Sequence, residues 1–164
     1  MMIRQFQAKI QTWKNAQQTV QHWQDAGERV VFTNGCFDLL HYGHIHYLAE
    51  ARNLGDHLII GLNSAASVAR LKGEHRPIND EQTRLFQLAA MEMVSAVVVF
   101  EEDTPLELIT LLKPNILVKG GDWKPEQIVG SNVVLESGGK VRSLAFVEGY
   151  STTSIEDKIK NNMK

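Results

Sequence analysis

Two histidines three residues apart, His41 and His44, stand in a segment whose other members suit contact with an anion: Thr33-Asn34-Gly35-Cys36-Phe37-Asp38-Leu39-Leu40-His41-Tyr42-Gly43-His44. Gly35 and Gly43 let backbone approach a ligand closely, and a helix predicted to open at Gly43 supplies free N–H groups at the positive end of its dipole. At this spacing both imidazoles project to one side, where they can donate to phosphate oxygens or to charge developing on a transferring phosphoryl group. Such a pair suits displacement at phosphorus. Metal binding is a competing chemistry, with Cys36 and Asp38 as further ligands, although the turn geometry and the lack of other Cys or His pairs disfavour it. Packed structural histidines are a third reading. Cys36 reads as a small buried hydrophobe and not a nucleophile, and His46 falls on another helix face, at the surface.

Three further segments follow strand-like runs. Asn63 and Ser64 stand where they can cap the next helix, and Lys72 sits in a glycine-flanked loop where a long cation can reach over the site or simply be solvated. Arg84, in the first turns of a helix capped by Asn79 or Asp80, presents a planar fork suited to two phosphate oxygens; a surface ion pair with Glu81 or Asp80 is the alternative. In Val118-Lys119-Gly120-Gly121-Asp122-Trp123, backbone at Gly120 can meet a nucleoside, Asp122 can accept from ribose hydroxyls, and Trp123 offers a packing face. Ser151 and Thr152, at the start of the last helix, are candidate N-caps whose hydroxyls, with Thr153, can hold outer phosphates.

These segments need a scaffold that delivers strand ends to one edge. Val30-Val31-Phe32, Leu58-Ile59-Ile60, Val97-Val98-Val99, Ile116-Leu117-Val118 and Val141 to Phe146 read as strands. Helical stretches lie between them: Gly43 to Asn53, Ala65 to Leu71, Asp80 to Met91, Pro105 to Leu112 and Glu126 to Ser137. Apolar strands alternating with helices predict an α/β fold, a Rossmann-like doubly wound parallel sheet with right-handed crossovers, whose ligands sit beyond the carboxyl ends of the strands. Ahead of it, Ile3, Phe6, Ile10, Trp13, Val20 and Trp23 mark an amphipathic helix or helix pair stopped by Gly27. The expected division is a helical extension over 1–27 and a catalytic domain over 28–164. The extension is either a lid over the domain's own core or a homodimer contact.

With 164 residues, one core is expected. At 43% hydrophobic and 22% charged, with net charge −2, the totals suggest neither disorder nor a polyanion-binding surface. Phosphate binding must therefore come from local arrangement, and neither nucleic acid nor membrane is an expected partner. A single cysteine and no basic segment leading into an apolar run predict a reducing, cytoplasmic setting.

The first segment resembles the T/S-x-G-x-F-D and H-x-G-H phosphate motif of the nucleotidyltransferase superfamily shared with class I aminoacyl-tRNA synthetases. Leu71-Lys72-Gly73, Arg76-Pro77-Ile78-Asn79, Asp103-Thr104-Pro105-Leu106-Glu107-Leu108, Val118-Lys119-Gly120-Gly121-Asp122 and Val129-Gly130 resemble the D-glycero-β-D-manno-heptose 1-phosphate adenylyltransferases, from about Arg29 to Ile159. The resemblance implies transfer of AMP from ATP to a sugar 1-phosphate, giving ADP-heptose for lipopolysaccharide core synthesis and pyrophosphate. It implies His41, His44 and Lys72 as the catalytic side chains. It places Thr33, Asn34, Gly35, Cys36, Phe37, Gly43, Arg84, Gly120, Asp122, Ser151, Thr152 and Thr153 around the nucleotide, and Asp38, Asn63 and Ser64 around the sugar phosphate. Mg²⁺ is expected to arrive on the nucleotide, with no protein metal ligand and Asp38 at most an outer-shell partner. Some relatives are fused to a sugar kinase; here a separate kinase is expected to supply the sugar phosphate. Glycerol-phosphate and ethanolamine-phosphate cytidylyltransferases share the H-x-G-H and the G-x-S-T-T ending, but typically carry arginine near the position of Val147. A non-catalytic nucleotide sensor is the reading from another class.

Overall fold

The computed structural model describes residues 1–162. Five strands, β1 (Val30–Gly35), β2 (His57–Asn63), β3 (Ala96–Phe100), β4 (Ile116–Gly120) and β5 (Lys140–Leu144), are all parallel in the order β3-β2-β1-β4-β5. The chain winds outward from β1 to β3 and then returns to lay β4 on the other side of β1. The carboxyl ends of β1 and β4 thus flank the point where the winding reverses, as the alternation of apolar runs and helices predicts.

The helices are α1 (Met2–Lys9), α2 (Trp13–Asp25), α3 (Tyr42–Arg52), α4 (Ala65–Lys72), α5 (Glu81–Ala89), α6 (Leu106–Leu112), α7 (Ser131–Glu136) and α8 (Thr152–Asn162). Because side chains alternate along a strand, each strand feeds two cores. Val30, Phe32, Ile59, Val98 and Leu117 pack under α2, α6 and α7, while Val31, Leu58, Ile60, Leu62 and Val118 pack under α3 and α5.

Helix starts carry the caps expected of their sequence: Ser64 Oγ accepts from the Ser67 N–H at 3.0 Å, and Asp80 Oδ1 from the Thr83 N–H at 2.7 Å. Two elements differ from expectation. The single helix expected over Glu126 to Ser137 is a 3₁₀ turn, Pro125–Gln127, followed by α7, because Gly130 takes φ 83° between them. The last strand ends at Leu144 and not at Phe146, since its neighbour β4 ends at Gly120, which pairs with Leu144 and leaves nothing for Ala145 and Phe146 to join.

The N-terminal segment is indeed a helix pair, and it lies on the chain's own sheet. Ala16 and Val20 of α2 are wholly buried in the first core, and the Trp13 indole N–H donates to the Val99 carbonyl at 2.8 Å. Ile10 forms a parallel bridge with Val97, and Lys9 Nζ donates to the Met91 carbonyl at 2.9 Å.

Candidate active site

The turn after β1 is sharp. Phe37 takes φ 43° and tucks its ring into the core beneath α3, and a side-chain carbon at Gly35 would stand 2.9 Å from that ring. The chain then enters α3 with His41 as N-cap residue in extended conformation. Its ring stacks on that of His44, with centroids 3.9 Å apart and planes 27° apart. The Nδ1 atoms of both rings are covered and have no hydrogen-bond partner among the described residues. Burial, together with the positive charges of His41 and Lys72, drives the His44 pKa down to about 4, and burial lowers that of His41. Both imidazoles are therefore neutral near pH 7. Gly43 is needed where it is: a Cβ there would lie 3.0 Å from His41 Nδ1 and 3.1 Å from Tyr150 Cβ.

The opposite wall is the start of α8. Ser151 Oγ accepts from the Ser154 N–H at 3.0 Å, so the serine is a cap. A cavity of about 240 Å³ between the two helix starts is lined by His41, Gly43, His44, Ser151 and Thr152. His44 and Thr152 also line an adjoining cavity of about 170 Å³, with Asn34, Cys36, Lys72 and Gly120. A third cavity, of about 500 Å³, shares Asn34, Gly35, Cys36 and Lys72 and runs toward Asn63, Asp103 and Val129. Expected residues from four strand ends, among them Asn34, Asn63, Gly120 and Ser151, thus line one edge.

Several predicted site residues make their polar contacts within the protein itself, although Asp38 still lines the cavity of about 170 Å³. Thr33 is fully buried, its hydroxyl sharing a hydrogen bond with that of Tyr47 at 2.6 Å. Asp38 accepts from the backbone N–H groups of Ile78 and Asn79 at 2.8 Å and from Arg76 Nη1 at 2.8 Å. Burial alone would raise its pKa, but these donors outweigh it and hold the carboxylate below its ordinary value. Arg84 is wholly buried, which removes the surface ion pair; its Nη1 donates to the carbonyls of Cys36 at 2.9 Å and Asn63 at 2.8 Å. It holds the ends of β1 and β2 together. Ser64 caps α4 and lines none of the three cavities, and Asp122 and Thr153 are exposed outside them. Burial raises the Cys36 thiol pKa, against a nucleophilic role. Among the described residues, no group of three or more His, Cys, Asp or Glu side chains is placed to hold a metal ion.

Tyr47, Phe146 and Lys119 are among the lining residues that the sequence reading did not assign to the site. Tyr47 lies one helical turn past His44, a spacing that could have shown it. Phe146, 68% exposed, stands against Gly120 and Gly121, which no local pattern reveals. Lys119 lines two of the cavities. Its signal was a cation ending an apolar strand.

The sequence model of the cytidylyltransferase-like family matches residues 32–158. The chain belongs to this family. It is 59% identical over 133 residues to the bifunctional protein HldE of Pelobacter propionicus, covering 81% of this chain and 27% of that protein. It is 53% identical over 151 residues to the bifunctional protein HldE of Magnetococcus marinus, covering 92% of this chain and 31% of that one. The chain therefore spans less than a third of these curated relatives. Among solved structures, the lipopolysaccharide core biosynthesis protein from Thermoplasma volcanium is similar with a TM-score of 0.61 and 30% identity, over 76% of this chain and 100% of that one. Pantoate-beta-alanine ligase from Francisella tularensis, at 16% identity and TM-score 0.59 over 94% of this chain and 78% of that one, shares the fold.

Proposed function

We propose that this chain transfers the adenylyl group of ATP to a sugar 1-phosphate, D-glycero-β-D-manno-heptose 1-phosphate, forming ADP-heptose and pyrophosphate. The observation that carries nucleotidyl transfer is the cavity between two helix starts, with the stacked His41 and His44 on one side and Ser151 and Thr152 on the other. Helix N-termini and neutral imidazole donors favour a polyphosphate, and the covered Nδ1 atoms have no protein partner of their own. No activated nucleophile is needed. An oxygen of the sugar phosphate, ionised near neutral pH, attacks the α-phosphorus; the bond to the bridging oxygen breaks, and pyrophosphate leaves with the electron pair. His41 and His44 donate to the charge that grows in that step, and Lys72, on the exposed end of α4, reaches the phosphates from across the groove.

The saturated carboxylate of Asp38 gives a metal ion no first ligand, so Mg²⁺ fits here only as a companion of the nucleotide. Bound that way, it would neutralise triphosphate charge. Choice of adenine and heptose is supported by the heptose-type motifs, by the lack of the arginine that cytidylyltransferases typically carry at Val147 or its neighbour, and by likeness to bifunctional HldE proteins and to a lipopolysaccharide core biosynthesis protein. A separate kinase supplying the sugar phosphate, a cytoplasmic setting and a homodimer belong to the same proposal. No helix among the described residues is long and apolar enough to cross a membrane. Pyrophosphate release with ATP or CTP, each paired with heptose 1-phosphate or glycerol 3-phosphate, tests it. ATP with the heptose is the expected pair, with ADP-heptose identified by mass. Preference for CTP would sink the adenylyl assignment, and no turnover with any pair would sink the enzyme.

A further inference from the structure

The histidines lie on the α3 face of the sheet, whereas the cavity of about 500 Å³ opens on the other face. Phe32, Ile59 and Leu117 belong to the core under α2, α6 and α7. Strand alternation carries that face on to Asn34 in β1, Gly61 and Asn63 in β2 and Lys119 in β4. The apolar stripe thus ends in Asn34, Asn63 and Lys119, and all three line the cavity. Gly61 keeps the floor open to this row, since a Cβ there would stand 2.7 Å from the Phe32 ring and 3.4 Å from Asn34 Cβ.

Lys119 is half-buried, and no hydrogen bond or ion pair of its ammonium group is found among the described residues. The one carboxylate lining the cavity, Asp103, is engaged by Arg70 Nε at 3.0 Å. Burial lowers the Lys119 pKa, offset only in part by the nearby Cys36 thiol, and a partly desolvated cation without a carboxylate beside it is a site that an incoming anion relieves. Its position says which anion. Lys72 and Lys119 both line this cavity and the adjoining one of about 170 Å³ that contains His44 and Thr152. A group held between the two lysines lies where the two cavities meet, next to the polyphosphate compartment.

We propose that Lys119 binds the phosphate of the acceptor sugar from the floor of the groove, opposite Lys72, with Asn34 and Asn63 beside it, so that the attacking oxygen faces the nucleotide. The inference rests on the transfer reaction proposed above and adds a substrate-binding residue to it. A phosphate dianion suits two cations, and the large cavity beyond leaves room for the sugar. An acceptor bearing a hydroxyl and no phosphate leaves Lys119 uncompensated.

Calorimetric titration with the sugar phosphate alone, without ATP, separates this from turnover. Lys119→Met keeps the unbranched chain and removes the charge; affinity for heptose 1-phosphate should fall about 10- to 100-fold, the scale of a lost charge-assisted bond. In turnover, KM for the sugar phosphate should rise by the same factor while KM for ATP moves less than about threefold. The unliganded melting temperature should hold or rise by roughly 2 to 4 °C, because a desolvated charge has been removed. Lys119→Arg, which keeps the charge, should recover part of the affinity and guards against a folding defect in the first variant. Inorganic phosphate serves as a probe that does not depend on the sugar. If wild type and Lys119→Met bind phosphate and heptose 1-phosphate equally, or if KM for ATP rises as much as that for the sugar phosphate, the role given to Lys119 is overturned even when transfer to heptose succeeds. Turnover with a different phosphorylated acceptor, again weakened by Lys119→Met, would support the lysine and sink only the heptose assignment.

Discussion

At position 44 an imidazole is kept neutral by its surroundings, and that has two measurable consequences. In the transfer reaction proposed above, His44 would share with His41 the task of meeting charge on the transferring group. Replacing either by Ala should lower kcat by about 10²- to 10³-fold, the scale of one lost donor, with the circular dichroism spectrum and melting curve little changed at pH 7. Wild-type rates in both variants would remove the pair from the chemistry. The second consequence concerns folding. Folded His44 takes its proton near pH 4 against an ordinary value of 6.5, so between these values the unfolded chain binds more protons. The stability contributed by this neutral ring is complete above 6.5 and lost as the pH falls toward 4. Melting temperatures of wild type and His44→Asn, compared at pH 7 and pH 5, should show a smaller acid-induced drop in the variant.

Among the elements, the loops that carry the site are held by charged groups turned inward. Asp38 fastens the loop after β1 to the loop before α5, and Arg76 extends that link to Glu156 on α8. Arg84 lies alongside, joining the ends of β1 and β2. Asp38→Asn would leave the Arg76 guanidinium and two backbone N–H groups facing a weaker acceptor. We expect a loss of about 3 to 5 kcal/mol in urea unfolding, the range for breaking a buried pair from one side. Because the clasp also anchors α8, KM for ATP should rise in the same variant. A melt and KM equal to wild type would show the clasp to be incidental. Gly130 offers a contrast in which no charge is involved. Its φ of 83° and the 2.7 Å separation a Cβ would have from Ile109 Cδ1 predict that Gly130→Ala costs about 1 to 3 kcal/mol of stability, read from the urea midpoint.

For the molecule as a whole, the N-terminal pair packs on the sheet and shares its core. Trp13 and Trp23 pack against the cluster that buries Ala16 and Val20, and Gln24 Nε2 donates to the Lys113 carbonyl at 3.0 Å. Deleting residues 1–26 would uncover β1 and β3 on that side. We expect an insoluble product, or one melting far below wild type, and not a well-folded monomer. A soluble, cooperatively melting and active 27–164 chain would instead make the segment an independent extension. Exposed Met2 and Ile3 on α1 leave that helix as the place to seek a homodimer by sedimentation.

The sequence alone determined what depends on neighbours a few residues apart. Apolar runs of strand length alternating with helices dictated a parallel, doubly wound sheet, and the three-residue spacing of His41 and His44 put two donors at one helix start. Ser64 and Asp80 read as caps for the same reason, since a cap needs only its own first turn. Tertiary structure decided whatever joins distant positions. Asp38 and Arg76 are 38 residues apart, and Arg84 and Cys36 are 48 apart, so no spacing rule could say that these charges look inward and not at a ligand. Lys119 gains its meaning only when strand pairing sets it beside Asn34 and Asn63. Local spacing fixes which groups a turn can present; only the packed sheet fixes which of them face one another across a cavity.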